Sequence, residues 1–138
     1  MSIKKLTEEQ ILKAPKSKYM NEEQLAFFKQ RLLDLHESTC QQIEDAKKRM
    51  VSPMDFSDPS DRASSEEQSG IALRIVDREQ KLIPKIRQAL ERIRLGEYGY
   101  CLETGEPIGV PRLLARPTAE FGAEVKTLKE MKEHQYSD

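Results

Sequence analysis

The chain has 138 residues, with 23 basic side chains against 24 acidic ones, few aromatics and no Trp. That balance excludes a general nucleic-acid coat and a polybasic membrane patch, both of which need excess positive charge. A charged fraction of 34% and modest apolar content suit exposed helices better than a thick core. The length allows one domain, or one domain with an extended arm. MSIKKLTEEQ at the N-terminus offers no apolar stretch for a signal peptide, and no later run is long enough to span a bilayer. Cys40 and Cys101 lie in unlike contexts, so no disulfide framework is expected and the chain reads as soluble and cytoplasmic.

The first predicted element is a short helix at Leu6-Thr7-Glu8-Glu9-Gln10-Ile11, with Thr7 as cap and Gln10 reaching back. Pro15 limits it to a turn or two. Met20-Asn21-Glu22-Glu23-Gln24-Leu25 repeats the device with Asn21 as cap. Beyond it, Leu25, Phe28, Leu32, Leu35, Thr39, Ile43, Ala46 and Met50 fall at steps of three and four on one stripe. This helix would be roughly 45 Å long and needs a single partner helix. A break follows over 51–61, where Pro53 and Pro59 forbid a continuous helix. Asp58 reads as N-cap, Pro59 as N1 and Asp61 as N3 of a second long helix.

That helix runs to Leu95, with Ala72, Val76, Leu82, Ile83, Ile86, Leu90 and Ile93 as its apolar positions and Gly96 as its stop. Ser64 to Gly70 has poor helix propensity, which makes the early part the softer end. Pro84 lies inside the pattern at a cost of about 3 kcal/mol, so the helix bends there or packing offsets the loss. The remainder is a turn-rich stretch from Gly96 to Pro111 and a short helix from about Thr118, whose Phe121, Val125, Leu128 and Met131 can face the base. The expected fold is mainly α: a long antiparallel coiled-coil hairpin on a small globular base, with a degenerate zinc-ribbon-like segment and a C-terminal helix. Its parts are an N-terminal segment at 1–20, the hairpin at 21–95 with its tip at 51–63, and the ribbon-like segment and last helix at 96–138.

No catalytic constellation is visible. His36 and His134 are isolated, and His36 on a charged helix reads as a solvated side chain. The spacing from Cys101 to Thr104, followed by Gly105, is that of half a zinc knuckle. The other half would fall at Gly122 and Val125, neither of which carries a ligating side chain. Structural zinc takes four ligands, so no metal is expected and Cys101 reads as a small buried residue. At the tip, Asp58 and Asp61 flank Pro59-Ser60 and precede Arg62 and Ala63, with Met54 and Phe56 beside them. Capping alone accounts for the two acids, but so long a hairpin implies that its end reaches a partner. Lys85, Arg112, Arg116 and Lys126 are either ordinary solvated surface or a site for an anionic, phosphate-bearing ligand.

Several stretches give the chain a resemblance to the DksA/TraR family, bacterial factors that insert a coiled coil into the secondary channel of RNA polymerase. They are Asp58-Pro59-Ser60-Asp61-Arg62-Ala63, Asp77-Arg78-Glu79-Gln80-Lys81-Leu82-Ile83, Gly99-Tyr100-Cys101, and Arg112-Leu113-Leu114-Ala115-Arg116-Pro117-Thr118-Ala119. The resemblance runs from Tyr19 to the C-terminus. It implies that Asp58, Asp61, Arg62 and Ala63 act near the polymerase active centre. It further implies that Leu82, Lys85, Arg116 and Lys126 bind guanosine tetraphosphate together with the polymerase, and that Arg78 and Arg112 face the polymerase. Zinc-bearing members carry cysteines where this chain has Cys101, Thr104, Gly122 and Val125, so the chain resembles the cysteine-poor, zinc-independent branch. The expectation is therefore a non-enzymatic, monomeric transcription regulator of the stringent response. It would have RNA polymerase as partner, guanosine tetraphosphate as effector, no tightly bound cofactor, no zinc, no sequence-specific DNA contact and no membrane. The rival from another class is a structural or chaperone-like coiled-coil protein that clasps a different partner. A hydrolase using the paired aspartates lacks a base, and the ribbon-type motif speaks against a cleavage-stimulating channel factor.

Overall fold

The computed structural model describes residues 5–50 and 58–136. Among these residues the chain is mainly helical, with helices α1 (Glu8–Lys13), α2 (Glu22–Lys48), α3 (Pro59–Leu95), α4 (Val110–Ala115) and α5 (Ala123–Tyr136). The only pairing of extended backbone is an isolated bridge between Tyr100 and Pro107 among those residues. Two compact units result, one made of Met1–Leu32 with Gln88–Asp138, the other of Leu33–Arg87.

The helix starts follow local capping chemistry. Thr7 accepts from the Gln10 N–H at 3.2 Å while the Gln10 side chain accepts from the Thr7 N–H at 3.0 Å, a complete capping box. At α2, Asn21 accepts from the Gln24 N–H at 2.9 Å. The Gln24 side chain reaches one residue further back than expected and accepts from the Met20 N–H, also at 2.9 Å. That bond explains why Gln24 is buried where the stripe would have put Leu25, which is only half-buried.

Within Leu33–Arg87, α2 and α3 pack through Ile43, Ala46, Ala72 and Val76, flanked by Met50, Ile75 and Ile83. Within this unit the buried positions on α3 are Ser65, Ala72, Val76, Glu79 and Ile86, all separated by sevens or by threes and fours. Thr39, Ile43 and Ala46 keep the same interval on α2. This is the period of a coiled-coil seam, and it is narrower and more polar than the apolar letters suggest. Leu82 lies on its flank, half-buried. Helix α3 continues through Pro84. Pro84 and Gln80, whose carbonyl loses its helical partner, are both exposed, so water can satisfy that carbonyl while Ile86, fully buried, anchors the next turn.

The other unit is built around Tyr98, Phe28, Ile11, Leu32 and Leu113, all essentially inaccessible to solvent. The Phe28 and Tyr98 rings lie 5.6 Å apart, and α1 packs against α4. Tyr98 donates its hydroxyl to the Pro117 carbonyl at 2.7 Å. Tyr19 donates to the Gly99 carbonyl and accepts from the Gly109 N–H at 2.9 Å, tying together two loops some eighty and ninety residues along the chain. Burial pushes both phenols above their ordinary pKa, which keeps them as donors.

Two expectations for the C-terminal part need correction. Helix α4 is not anticipated, because six residues beginning Val110-Pro111 carry too little periodicity to show. Helix α5 starts at Ala123 instead of Thr118, since Thr118 and Ala119 are buried in the preceding turn. Leu128 and Met131 are consequently 59% and 57% exposed and do not face the base.

Two glycine substitutions should move stability in opposite directions. Gly99 has φ +94, and a Cβ there would sit 2.6 Å from Met20 Cγ. Gly99→Ala should therefore destabilise by about 2 kcal/mol or more, read as a lower urea midpoint. Gly70 lies in α3 with nothing within 4 Å of its would-be Cβ. Gly70→Ala should stabilise by about 0.5–1 kcal/mol, because it removes only chain entropy.

Candidate functional site

The first turn of α3 is acidic and exposed. Asp58 caps it: its carboxylate accepts from the Ser60 N–H at 2.9 Å, and its carbonyl accepts from the Arg62 N–H at 3.0 Å. Pro59 opens the helix, and Asp61 follows within the first turn. Spacings of three and four put Asp58, Asp61 and Arg62 on one side of the turn, with Ala63 exposed beside them. The turn can present two carboxylates on a rigid support whose unsatisfied N–H groups favour negative charge. Met54, Phe56 and the rest of the expected tip at 51–57 lie outside the described residues.

Farther along α3, Arg78, Leu82 and Lys85 follow one another at steps of four and three and share a stripe. Arg78 and Lys85 are exposed, and Leu82 is half-buried between them. Arg78 pairs with Glu79 at 3.3 Å, while Lys81 pairs with Asp77 at 3.1 Å one turn back along the helix. These surface pairs are worth little energy but order the charges along the stripe.

Arg112, Arg116 and Lys126 belong to the other unit. Arg112 donates through Nε to the Phe121 carbonyl at 3.0 Å, which makes it a brace for the 116–122 turn. Arg116 closes α4 with an exposed side chain, and its backbone is held by bonds to Arg112 and Ala119. Lys126 lies in α5, and its side chain falls outside what is described. The stripe on α3 is thus assembled by one helix, whereas Arg116 is positioned by the Tyr98–Pro117 bond beside it.

The knuckle-like loop is a tight turn closed by backbone hydrogen bonds. Cys101 donates its N–H to the Glu106 carbonyl, and Gly105 donates to the Cys101 carbonyl, both at 2.8 Å. Burial pushes the Cys101 thiol up, but the Thr104 hydroxyl and the peptide N–H groups of Gly122, Thr104 and Glu103 outweigh it and bring the pKa down to about 7. Leu102 donates to the Glu120 carbonyl at 2.9 Å, so the 101–105 turn is stitched to the turn before α5. Arg92 lies 3.8 Å from the Glu120 carboxylate, with one terminal nitrogen buried and without a partner among the described residues. The sequence carries no sign of this arginine or of the Tyr19 brace; Tyr98, between Gly96 and Gly99, is the one brace whose glycine-rich context signals it.

Residues 24–93 match the family described as DnaK suppressor protein DksA, N-terminal domain, and residues 96–124 match the prokaryotic dksA/traR C4-type zinc finger. The second match overturns the expectation of no zinc, which rests on the missing thiols at Thr104, Gly122 and Val125, and it points to zinc binding in this segment. The residues present do not make up a C4 cage. The chain has two cysteines, and among the described residues no three His, Cys, Asp or Glu side chains converge. Cys101 is the one thiol of the segment. No helix among the described residues is long and apolar enough to cross a membrane.

The chain is 44% identical over 121 residues to the RNA polymerase-binding transcription factor DksA of Caulobacter vibrioides, covering 87% of this chain and 85% of that protein. It is 43% identical over 126 residues to the protein of the same name in Escherichia coli, covering 88% and 81%. The solved structure of transcription factor DksA2 from Pseudomonas aeruginosa superposes with a TM-score of 0.79 at 43% identity, over 93% of this chain and 99% of that one. With both halves of the pattern matched and close relatives aligned over most of their length, the chain belongs to the DksA family.

Proposed function

We propose that this protein binds RNA polymerase through its secondary channel and, with guanosine tetraphosphate, destabilises promoter open complexes in the stringent response. The observation that carries the reading is the exposed acidic first turn of α3, Asp58 and Asp61 on a 37-residue helix, in a chain whose relatives are named RNA polymerase-binding transcription factors. In this reading α2 and α3 enter the channel as a hairpin, and Asp58, Asp61, Arg62 and Ala63 act on mobile protein elements beside the catalytic centre. The carboxylates work by charge and hydrogen bonding and do not hold the polymerase Mg²⁺. Promoters with short-lived open complexes lose output, while others gain. The relatives carry names of transcription factors and not of enzymes, and no reaction is assigned to this chain.

The effector would lie against Leu82, Lys85, Arg116 and Lys126, with Arg78 and Arg112 facing the polymerase. Exposed Lys85 and Arg116 offer charge but little enclosure, so the polymerase surface must complete the site. The protein works in the cytoplasm as a monomer without contacting DNA sequence.

Asp58→Asn and Asp61→Asn separate charge from folding. Asn caps a helix as well as Asp does, and loss of one first-turn charge costs only about 0.3–1 kcal/mol. Asp61→Asn should bind polymerase nearly as the native chain does yet lose inhibition of a ribosomal-type promoter in vitro. Inhibition as strong as native would refute the tip mechanism. For the effector, Lys85→Ala should weaken the guanosine tetraphosphate response of the polymerase complex about tenfold, the loss of one charge-assisted bond. Calorimetry with the free protein should detect no tight binding of the nucleotide.

A further inference from the structure

Near the middle of α2, His36 and Cys40 stand one turn apart, with Nδ1 of the imidazole 3.9 Å from the Cys40 sulfur. Cys40 is exposed and His36 half-buried. Among the described residues neither side chain has another hydrogen-bond or ion-pair partner. Both belong to the Leu33–Arg87 unit, whereas Cys101 and the zinc-finger match belong to the other.

A thiolate and an imidazole are the two ligand types that borderline transition metals take up together. Metal–sulfur and metal–nitrogen bonds of about 2.3 and 2.0–2.1 Å at a tetrahedral angle set the two donors about 3.6 Å apart. The separation in α2 is a few tenths of an ångström longer, within reach of a small imidazole rotation. The helix has already fixed both side-chain origins, so a chelate here needs no backbone rearrangement.

We propose that His36 and Cys40 form a two-ligand surface site for a thiophilic divalent transition-metal ion of the Zn²⁺ class. Among the described residues no third His, Cys, Asp or Glu converges on the pair. Water completes the coordination shell, which makes this an open, exchangeable site and not a structural one. Binding displaces the thiol proton, and the imidazole ligates through neutral Nδ1, so occupancy falls as pH is lowered.

The test follows the ring resonances of the two histidines by NMR while the reduced full-length chain is titrated with Zn²⁺. His36 should shift saturably, and His134 serves as the internal reference. His36→Gln assigns the signal. Cys40→Ser, a surface change that leaves the seam intact, should weaken the His36 response about 10–100-fold, at least the loss seen when a supporting residue is removed from a metal site. A His36 signal indifferent to Zn²⁺, or one that responds equally in Cys40→Ser, overturns the proposal.

Discussion

Everything in the Leu33–Arg87 unit depends on one narrow seam between α2 and α3. Each helix has a single stripe to bury, and the seam includes Thr39, Ser65 and Glu79 as well as Ile43, Ala46, Ala72 and Val76. The two alanines leave room for close approach, and the polar positions exchange some stability for a more specific register. Since α3 runs unbroken from its Asp-capped start to Leu95, the acidic turn and the Arg78–Leu82–Lys85 stripe are carried on the same rigid element.

The other unit solves a different problem, that of holding loops with little regular structure. The buried Tyr98 and the half-buried Tyr19 do this through hydroxyl bonds to backbone. Tyr98 gives the Pro117 carbonyl its partner and Tyr19 gives one to the Gly109 N–H, while the Tyr19 hydroxyl joins the Ile108 N–H at the Gly99 carbonyl. Glycine at 99 lets the Met20 side chain approach the loop backbone, and Met20 itself adopts φ 53 there, a left-handed conformation uncommon outside glycine. Arg116 and the knuckle-like turn inherit their positions from these braces.

Much of this is written in short-range chemistry. The capping residues Thr7, Asn21 and Asp58 mark three helix starts, and Gly96 marks the end of α3, because those interactions are local. What the letters hide is tertiary. Gln24 is buried through a bond to Met20, Glu79 occupies a seam position, and Leu128 and Met131 stay exposed because the chain spends Thr118 and Ala119 in a turn before α5 begins. The acidic turn was legible as a cap, and its functional sense came from resemblance. Counting thiols predicts no metal in the last segment, whereas residues 96–124 match the C4-type zinc finger family in a chain with two cysteines. His36 and Cys40 say little as single residues, but a spacing of four on a helix makes them neighbours.

The central claim is that the first turn of α3 works inside the polymerase. A photo-crosslinking residue at Ala63, exposed and outside the seam, addresses it directly. Assembled with polymerase holoenzyme, the labelled chain should crosslink to the catalytic subunits at positions lining the secondary channel. Crosslinks confined to the outer surface of the polymerase, from a protein that still binds it, would contradict the account.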